Sequence, residues 1–188
     1  MDFAAYTDQY LAETISIAQT IDKNEIVKSI RILQDLKRTG GRLFIIGVGG
    51  SAANASHAVN DFRKLAGIET YAPTDNVSEL TARINDEGWD TIFRNWLEIS
   101  RICEKDVLLV LSVGGGSGTV SPNIKEAIDL AVLKKARIAA IVSRDGGYAK
   151  KNADACVLVP VANKGMITPH AEGWQGVIWH LIVNALTM

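Results

Sequence analysis

The stretch that decides the fold of this chain is Leu43-Phe44-Ile45-Ile46-Gly47-Val48-Gly49-Gly50-Ser51. A short apolar run that ends in glycines is typical of a buried parallel strand that breaks into a tight loop. The glycines let the backbone approach a ligand closely, because no Cβ lies in the way. Ser51 adds a hydroxyl where the next helix is expected to begin, and helix N-termini attract anions. The stretch therefore predicts a strand, a phosphate-binding turn and a helix.

The composition is that of an ordinary globular domain. The chain has 188 residues, of which 47% are apolar and 22% charged, so we expect one domain over 1–188, with a helical extension at 1–40 and an α/β core at 41–188. A formal net charge of −1 gives no reason to expect nucleic acid or a membrane as partner. The cysteines form no disulfide framework, and no signal peptide or membrane span is recognisable. We therefore expect a cytoplasmic protein.

Apolar runs alternate with helical patterns along the rest of the chain. Two amphipathic helices are predicted before the first strand. Strands are predicted at 42–46, 68–72, 107–111, 137–142 and 155–159, and helices at 52–65, 77–84, 89–102, 122–135 and 172–186. This alternation predicts an α/β fold with a doubly wound, five-stranded parallel sheet flanked by helices. The loops at the C-terminal ends of the strands should meet at one edge, where ligands bind in such sheets.

A second Ser/Gly loop, Ser112–Ser121, also follows a buried strand and precedes a helix. Its glycines and hydroxyls offer donors for a phosphate, although it lacks the lysine of a P-loop. Ser121 and Pro122 are predicted as the N-cap and first residue of the next helix. The first loop also fits a dinucleotide-binding pattern, but the second strand ends at Tyr71-Ala72-Pro73 and not at an acid, so NAD binding is not expected. Two such loops favour a sugar phosphate over a turn without a ligand.

Two histidines are each paired with a carboxylate at a spacing that places both on one face of a helix. His57 and Asp61 are four residues apart, and Glu172 and His180 are eight apart. Such a set could hold Zn²⁺ or a similar divalent metal, or it could supply an acid and a base. The spacing alone leaves both alternatives open. His170, in a predicted loop, is a weaker candidate.

These motifs resemble the SIS (sugar isomerase) domain family, and within it the phosphoheptose isomerases, which convert sedoheptulose 7-phosphate to a glycero-manno-heptose 7-phosphate. The matching features are the Gly-Gly-Ser loop, the later Ser/Gly loop, Asn85-Asp86, Asp145-Gly146-Gly147 and the Trp-His pair of the last helix. The resemblance covers nearly the whole chain. It implies an aldose–ketose isomerase of a phosphorylated sugar, and a homotetramer with its active sites at subunit interfaces.

The resemblance also implies a role for each site residue. Asp61, in the place of a family glutamate, and His180 would be catalytic. The metal ligands would be His57, Asp61, Glu172 and His180. The substrate would be bound by Val48, Gly49, Gly50, Ser51, Asn85, Asp86, Ser112, Val113, Gly114, Ser117, Ser121 and Glu172.

The chain departs from the family motifs at the substrate loops. Val48 replaces an asparagine, Val113 and Gly114 replace two hydroxyl residues, and Glu172 replaces a glutamine. Ser121 is favoured over Ser117 as the further phosphate-binding serine. These departures leave room for an alternative: a SIS module without catalysis, comparable to relatives that promote the initiation of DNA replication through protein partners.

Overall fold

Helices and strands alternate through residues 2–188, the part of the chain that the computed structural model describes. In chain order they are α1 (Phe3–Thr20), α2 (Lys23–Thr39), β1 (Leu43–Ile46), α3 (Gly50–Lys64), β2 (Thr70–Tyr71), α4 (Val77–Glu87), α5 (Ile92–Ile99), β3 (Val107–Leu111), α6 (Pro122–Leu133), β4 (Arg137–Val142), α7 (Gly147–Asn152), β5 (Ala155–Leu158) and α8 (Ile167–Ala185). Short 3-10 turns occupy Pro73–Asp75 and Lys164–Met166. Within residues 2–188, no helix is both long and apolar enough to cross a bilayer.

The five strands form one parallel sheet in the order β2-β1-β3-β4-β5. Side chains of successive residues in a strand point to opposite faces. Accordingly, Leu43 and Ile45 pack into a core under α2, α3 and α8, whereas Phe44 and Ile46 pack under α5 and α6. Both faces of β1 and β3 are therefore buried, which explains their continuous apolar sequences. The predicted five-stranded parallel α/β fold with two N-terminal helices is confirmed.

Several predicted boundaries differ from the structure, including those of α5 and β2, and two of the differences affect candidate site residues. The last helix begins at Ile167, because Pro169 lies in its first turn, where the missing N–H of proline costs no helical hydrogen bond. Helix α4 continues to Glu87 and ends at Gly88, which has a φ of 88°. Asn85 and Asp86 therefore lie on a helix and not in the predicted turn.

His170 is a buried structural residue and not part of a loop. Its Nε2 lies 2.8 Å from Oε2 of Glu13 on α1, and its ring stacks on Tyr10 at a centroid distance of 4.5 Å. Asn163 donates a hydrogen bond of 2.7 Å to the other oxygen of Glu13. These contacts fasten α1 to the beginning of α8. The sequence-based choice of His170 as the weaker site candidate agrees with this position.

Asp106 connects the segments that precede β1 and β3, at the edge of the sheet where these two strands begin. It is buried and accepts hydrogen bonds from the backbone amides of Arg42, at 3.0 Å, and Cys103, at 2.9 Å. Its Oδ2 lies 2.8 Å from Nη2 of Arg42. Burial raises the pKa of Asp106, but the hydrogen bonds from Arg42 and Cys103 outweigh burial and hold this pKa below its ordinary value. The stabilisation is therefore present above the unfolded pKa of about 4 and is lost as pH falls through the lowered pKa.

We expect Asp106→Ala to lower the free energy of unfolding by roughly 3 kcal/mol, because the change removes one partner of a buried ion pair. Urea unfolding at pH 7 measures the loss. The matched control is Asp35→Ala, which removes an exposed carboxylate from Arg38 and Arg137 and should cost less than about 1 kcal/mol. Equal losses in the two variants would contradict the role assigned to Asp106.

Candidate functional site

Loops that follow β1, β3 and β4 enclose a cavity of about 400 Å³. Its lining residues are Val48, Ser51, Ser112, Val113, Gly114, Gly116, Ser117, Val120, Ser121, Arg144, Asp145 and Gly147. Open α/β sheets bind their ligands at this edge. The structure therefore brings both predicted Ser/Gly loops to one cavity. A wider hollow of about 590 Å³ lies beside β5, but none of the predicted site residues lines it.

The loops after β3 and β4 pack directly against each other through their backbones. The amides of Tyr148 and Ala149 each donate a 2.9 Å hydrogen bond, to the carbonyls of Gly116 and Gly115 respectively. Gly115 has a φ of 74°, and a Cβ at this position would collide with the carbonyl oxygen of Gly146. Only glycine therefore allows this close approach. The amides at the start of α7 are satisfied by the neighbouring loop and are not available to a ligand.

The serines of the second loop differ in what they offer a ligand. The Ser117 hydroxyl accepts hydrogen bonds from the amides of Thr119, at 3.2 Å, and Val120, at 2.9 Å, and so it stabilises the loop itself. Ser121 is the N-cap of α6 and Pro122 its first residue, as predicted, but Ser121 has a φ of 52° and its side chain caps no helical amide. Within residues 2–188, the Ser121 hydroxyl makes no hydrogen bond and is available to a ligand.

Ser51 is the buried donor of the first loop. The residue is 1% exposed, lies in the first turn of α3 and lines the cavity, and its Oγ has no hydrogen-bond partner within residues 2–188. Buried hydroxyls are normally satisfied by protein, water or a ligand. The unpartnered Oγ at a helix N-terminus therefore indicates that the cavity takes a polar, hydrogen-bonding ligand.

His57, Asp61 and His180 form a cluster where α3 meets α8. Nε2 of His57 and Nε2 of His180 each lie 3.9 Å from Oδ2 of Asp61. One potential ligand atom from each residue lies within 4.8 Å of the others. The Asp61 carboxylate is mostly buried, whereas both imidazoles are about half exposed. The structure therefore brings together three of the four predicted metal ligands.

The hydrogen bonding of His180 suits a metal ligand. Its Nδ1 lies 2.7 Å from the carbonyl oxygen of Gly176. A carbonyl can only accept, so Nδ1 carries the proton and Nε2 presents its lone pair toward Asp61. Two imidazoles and a carboxylate are a donor set that zinc accepts. The residues present therefore fit a divalent metal of this kind.

The indole ring of Trp179 packs against the imidazoles of both His57 and His180. Its buried ring stacks on His180 at a centroid distance of 3.5 Å and meets the ring of His57 edge-on at 4.8 Å. In the sequence, Trp179 entered only through the Trp-His pair that resembles the SIS domain. Its contacts with the two imidazoles were not predicted, because adjacent helical residues normally point in different directions.

Glu172 stands apart from the three-residue cluster. Its carboxylate lies against Gly50 at the start of α3, in space that a Cβ at position 50 would fill. Asn54 donates a hydrogen bond of 2.9 Å to the backbone carbonyl of Glu172, which fastens α8 to α3. Asn85 and Asp86 do not line the cavity, and their side chains hydrogen-bond each other on α4 at 2.8 Å.

A model of the SIS domain matches residues 6–143, which is most of the chain. The chain belongs to the SIS domain family. A phosphoheptose isomerase of Geobacter sp. (strain M21) is 33% identical to this SIS domain over 167 residues, which cover 85% of this chain and 81% of that protein. The lincomycin biosynthesis protein LmbN of Streptomyces lincolnensis is 32% identical over 167 residues, 82% of this chain. The alignment spans 59% of the length of LmbN.

Solved structures agree with this family membership. The SIS domain described here superposes on the phosphoheptose isomerase GmhA of Neisseria gonorrhoeae with a TM-score of 0.83 and 26% identity, over 98% of both chains. It shares its fold with a phosphoheptose isomerase of Francisella tularensis at a TM-score of 0.84, with 22% identity over 98% of this chain and 95% of the other. The similarity therefore includes the N-terminal helices as well as the sheet.

The sequence interpretation overlooked one residue of this SIS domain, Arg144. The loop 143–147 was predicted at the correct edge of the sheet, but only its Asp-Gly-Gly motif drew attention. Arg144 lines the cavity and is the second residue after the end of β4. A basic residue at the C-terminal end of a strand that leads into a glycine-rich loop was the signal that could have identified it.

Proposed function

We propose that this SIS domain is an aldose–ketose isomerase of a phosphorylated sugar, and that it converts sedoheptulose 7-phosphate to D-glycero-D-manno-heptose 7-phosphate. One observation carries the proposal: helix α3 begins at a cavity lined with hydroxyl groups and presents His57 and Asp61 further along, beside His180. The first feature suits a phosphate and the second suits proton transfer. Relatives named phosphoheptose isomerase support the choice of sugar.

The length of α3 favours a long sugar. His57 lies six positions after Ser51 on α3, and Asp61 lies ten positions after Ser51. These offsets correspond to about 9 Å and about 15 Å along the helix axis. If the phosphate is bound near Ser51, the substrate must extend along α3 from there to place its reacting carbons near His57 and Asp61. An extended seven-carbon sugar phosphate has a comparable reach, whereas a three-carbon one is too short to contact both ends.

Asp61 and His180 are the groups that we propose for proton transfer. The ketose loses a proton from C1 and gains one at O2, which gives an enediol, and return of a proton to C2 with loss of the O1 proton gives the aldose. No electrons enter or leave, so no redox partner is needed. Nε2 of His180 and Oδ2 of Asp61 lie 3.9 Å apart, close enough to serve neighbouring atoms of one substrate.

Zn²⁺ is the proposed metal, with His57, Asp61 and His180 as ligands and Glu172 as a fourth candidate. When bound, such an ion would polarise the sugar carbonyl. The Nδ1–H of His180 donates its hydrogen bond to the Gly176 carbonyl, and this bond fixes the orientation of the His180 imidazole.

The phosphate is assigned to Ser51, Ser112 and Ser121, with the amides of the second loop. Val48, Gly49, Gly50, Val113 and Gly114 would form the floor of the sugar site, and Ser117 would maintain the loop that holds Ser121. Asn85 and Asp86 remain proposed substrate ligands.

A homotetramer is part of the proposal. Helix α1 exposes the apolar side chains of Phe3, Leu11 and Ile15. On α8, the exposed apolar residues Val177 and Leu181 lie near His180 in the sequence. Burial of such side chains between subunits would be favourable and would place the sites at interfaces. Light scattering gives the molar mass of the assembly, and a monomer at micromolar concentration would contradict this part of the proposal.

Turnover tests the proposal directly. The purified protein is incubated with sedoheptulose 7-phosphate, with and without added Zn²⁺, and aldose formation is followed. Sedoheptulose without the phosphate is the control substrate and should react at least about a hundredfold more slowly, because binding energy from the phosphate is lost. Absence of turnover in both metal conditions would overturn the proposal.

A SIS module without catalysis is the second candidate. The apolar side chains of Val48 and Val113 in the cavity favour it, because they offer no hydrogen bond to a sugar. NanR of Vibrio vulnificus, whose structure is a complex with ManNAc-6P, contains a similar fold, with a TM-score of 0.67 and 12% identity over 62% of that chain. Phosphate-dependent binding of sedoheptulose 7-phosphate without any turnover would support this candidate over the isomerase.

A further inference from the structure

Among residues 2–188, Arg144 is the only cationic residue that lines the cavity, and the proposed reaction has not used it. Its side chain is exposed, and within residues 2–188 its guanidinium makes neither an ion pair nor a hydrogen bond. The carboxylate next to it, Asp145, accepts a hydrogen bond of 3.1 Å from the amide of Gly147 and is thereby held in its own loop. Asp145 therefore places a negative charge beside Arg144 without forming an ion pair with it.

The backbone of Arg144 is left-handed, within a tight turn that a 2.9 Å hydrogen bond from the Gly146 amide to the Ser143 carbonyl closes. In the described part of the chain, residues 2–188, four residues other than glycine have positive φ: Arg101, Ser121, Lys135 and Arg144. Arg101 and Lys135 follow the ends of α5 and α6, where a left-handed residue commonly terminates a helix. Ser121 and Arg144 terminate no helix, and both line the cavity. Strained residues of this kind are concentrated at ligand sites.

Among residues 2–188, the cavity is lined by hydrogen-bonding groups, one carboxylate (Asp145) and no cation besides Arg144. Val113 and Gly114 contribute no side-chain donor, and the amides that begin α7 are satisfied by Gly115 and Gly116. The Ser51 hydroxyl, buried and unpartnered, points to a ligand that accepts hydrogen bonds. A guanidinium beside these hydroxyls would strengthen the binding of a dianionic phosphate, because hydrogen bonds between charged groups are the stronger ones.

We propose that the Arg144 guanidinium binds the phosphate of the substrate together with Ser51 and Ser121. A guanidinium offers two parallel N–H groups to two phosphate oxygens, which lysine cannot do. This inference rests on the proposed function, because it assigns the phosphate end of that substrate to this cavity. It makes Arg144 a determinant of specificity for phosphorylated over free sugars.

Inorganic phosphate is the probe that tests Arg144 without any turnover. Titration calorimetry at low ionic strength gives its Kd for the wild type and for Arg144→Gln, Arg144→Lys and Arg144→Gly. We expect Arg144→Gln to weaken binding by about 10–100-fold, the usual size of a hydrogen-bonded charge interaction. Arg144→Lys should lose less because it keeps the charge. Arg144→Gly, which relieves the backbone strain, should lose as much as Arg144→Gln.

Arg101→Gln is the matched control, because Arg101 has a φ of 54°, is also exposed and does not line the cavity. Its Kd for phosphate should stay within about twofold of the wild type. A Kd of Arg144→Gln within twofold of the wild type, or an equal loss in Arg101→Gln, would overturn the inference. Phosphate binding that depends on Arg144 in a protein without isomerase activity would support the inference and contradict the proposed reaction.

Discussion

His180→Ala is expected to lower kcat for sedoheptulose 7-phosphate by about 10²–10⁴-fold, the usual contribution of a positioned acid or base. Nε2 of His180 faces Oδ2 of Asp61 at 3.9 Å, and its Nδ1–H is fixed on the Gly176 carbonyl. Alanine removes both the proton-transfer group and one proposed metal ligand. Steady-state kinetics with saturating Zn²⁺ measure the loss, and elemental analysis of the purified variant reports the change in bound metal.

The control for His180→Ala is Asn184→Ala on the same helix. Asn184 donates a hydrogen bond of 2.8 Å to the backbone carbonyl of His180 but has no part in the cluster. Its kcat should stay within about threefold of the wild type, because surface changes away from a site have small effects. If His180→Ala keeps comparable activity while its thermal unfolding is unchanged, His180 does not take part in the reaction.

Gly115→Ala is expected to produce a large loss of stability at the edge of the cavity. The left-handed conformation at a φ of 74° costs an alanine roughly 1–2 kcal/mol. The new Cβ would also collide with the Gly146 carbonyl, a backbone atom that cannot turn away. The loops after β3 and β4 would then separate, and the hydrogen bonds from Tyr148 and Ala149 would be lost. A total of several kcal/mol is expected from urea unfolding.

Gly118→Ala is the matched control in the same loop. Gly118 does not have a positive φ, and no heavy atom lies within 4 Å of a Cβ built on it. Its free energy of unfolding should change by less than about 0.5 kcal/mol. Phosphate binding should fall in Gly115→Ala and persist in Gly118→Ala. Equal stability of the two variants would show that the loops do not depend on their close backbone contact.

Local patterns were sufficient to predict the elements of the sheet. The continuous apolar sequence of Val107–Leu111 could be buried only if helices covered both faces, and the structure buries it there. His57 and Asp61 were placed on one helical face by their spacing alone, since α-helical periodicity is a property of the backbone. Helix boundaries were less certain, because a proline such as Pro169 is compatible either with a loop or with a first helical turn.

Contacts between distant segments could not be read from such patterns. The Glu172 carboxylate lies against Gly50 because α8 packs across the start of α3, and no periodicity along either helix records that crossing. The unpartnered Ser51 hydroxyl and the left-handed backbone of Arg144 likewise depend on three loops that meet in space. The sequence alone determined the α/β architecture, the two Ser/Gly loops and the pairing of His57 with Asp61, because these follow from local periodicity and backbone chemistry. Only the tertiary structure decided which hydroxyls remain free, which carboxylate joins the histidines and which cation reaches the cavity, because packing between segments far apart in the chain sets those distances.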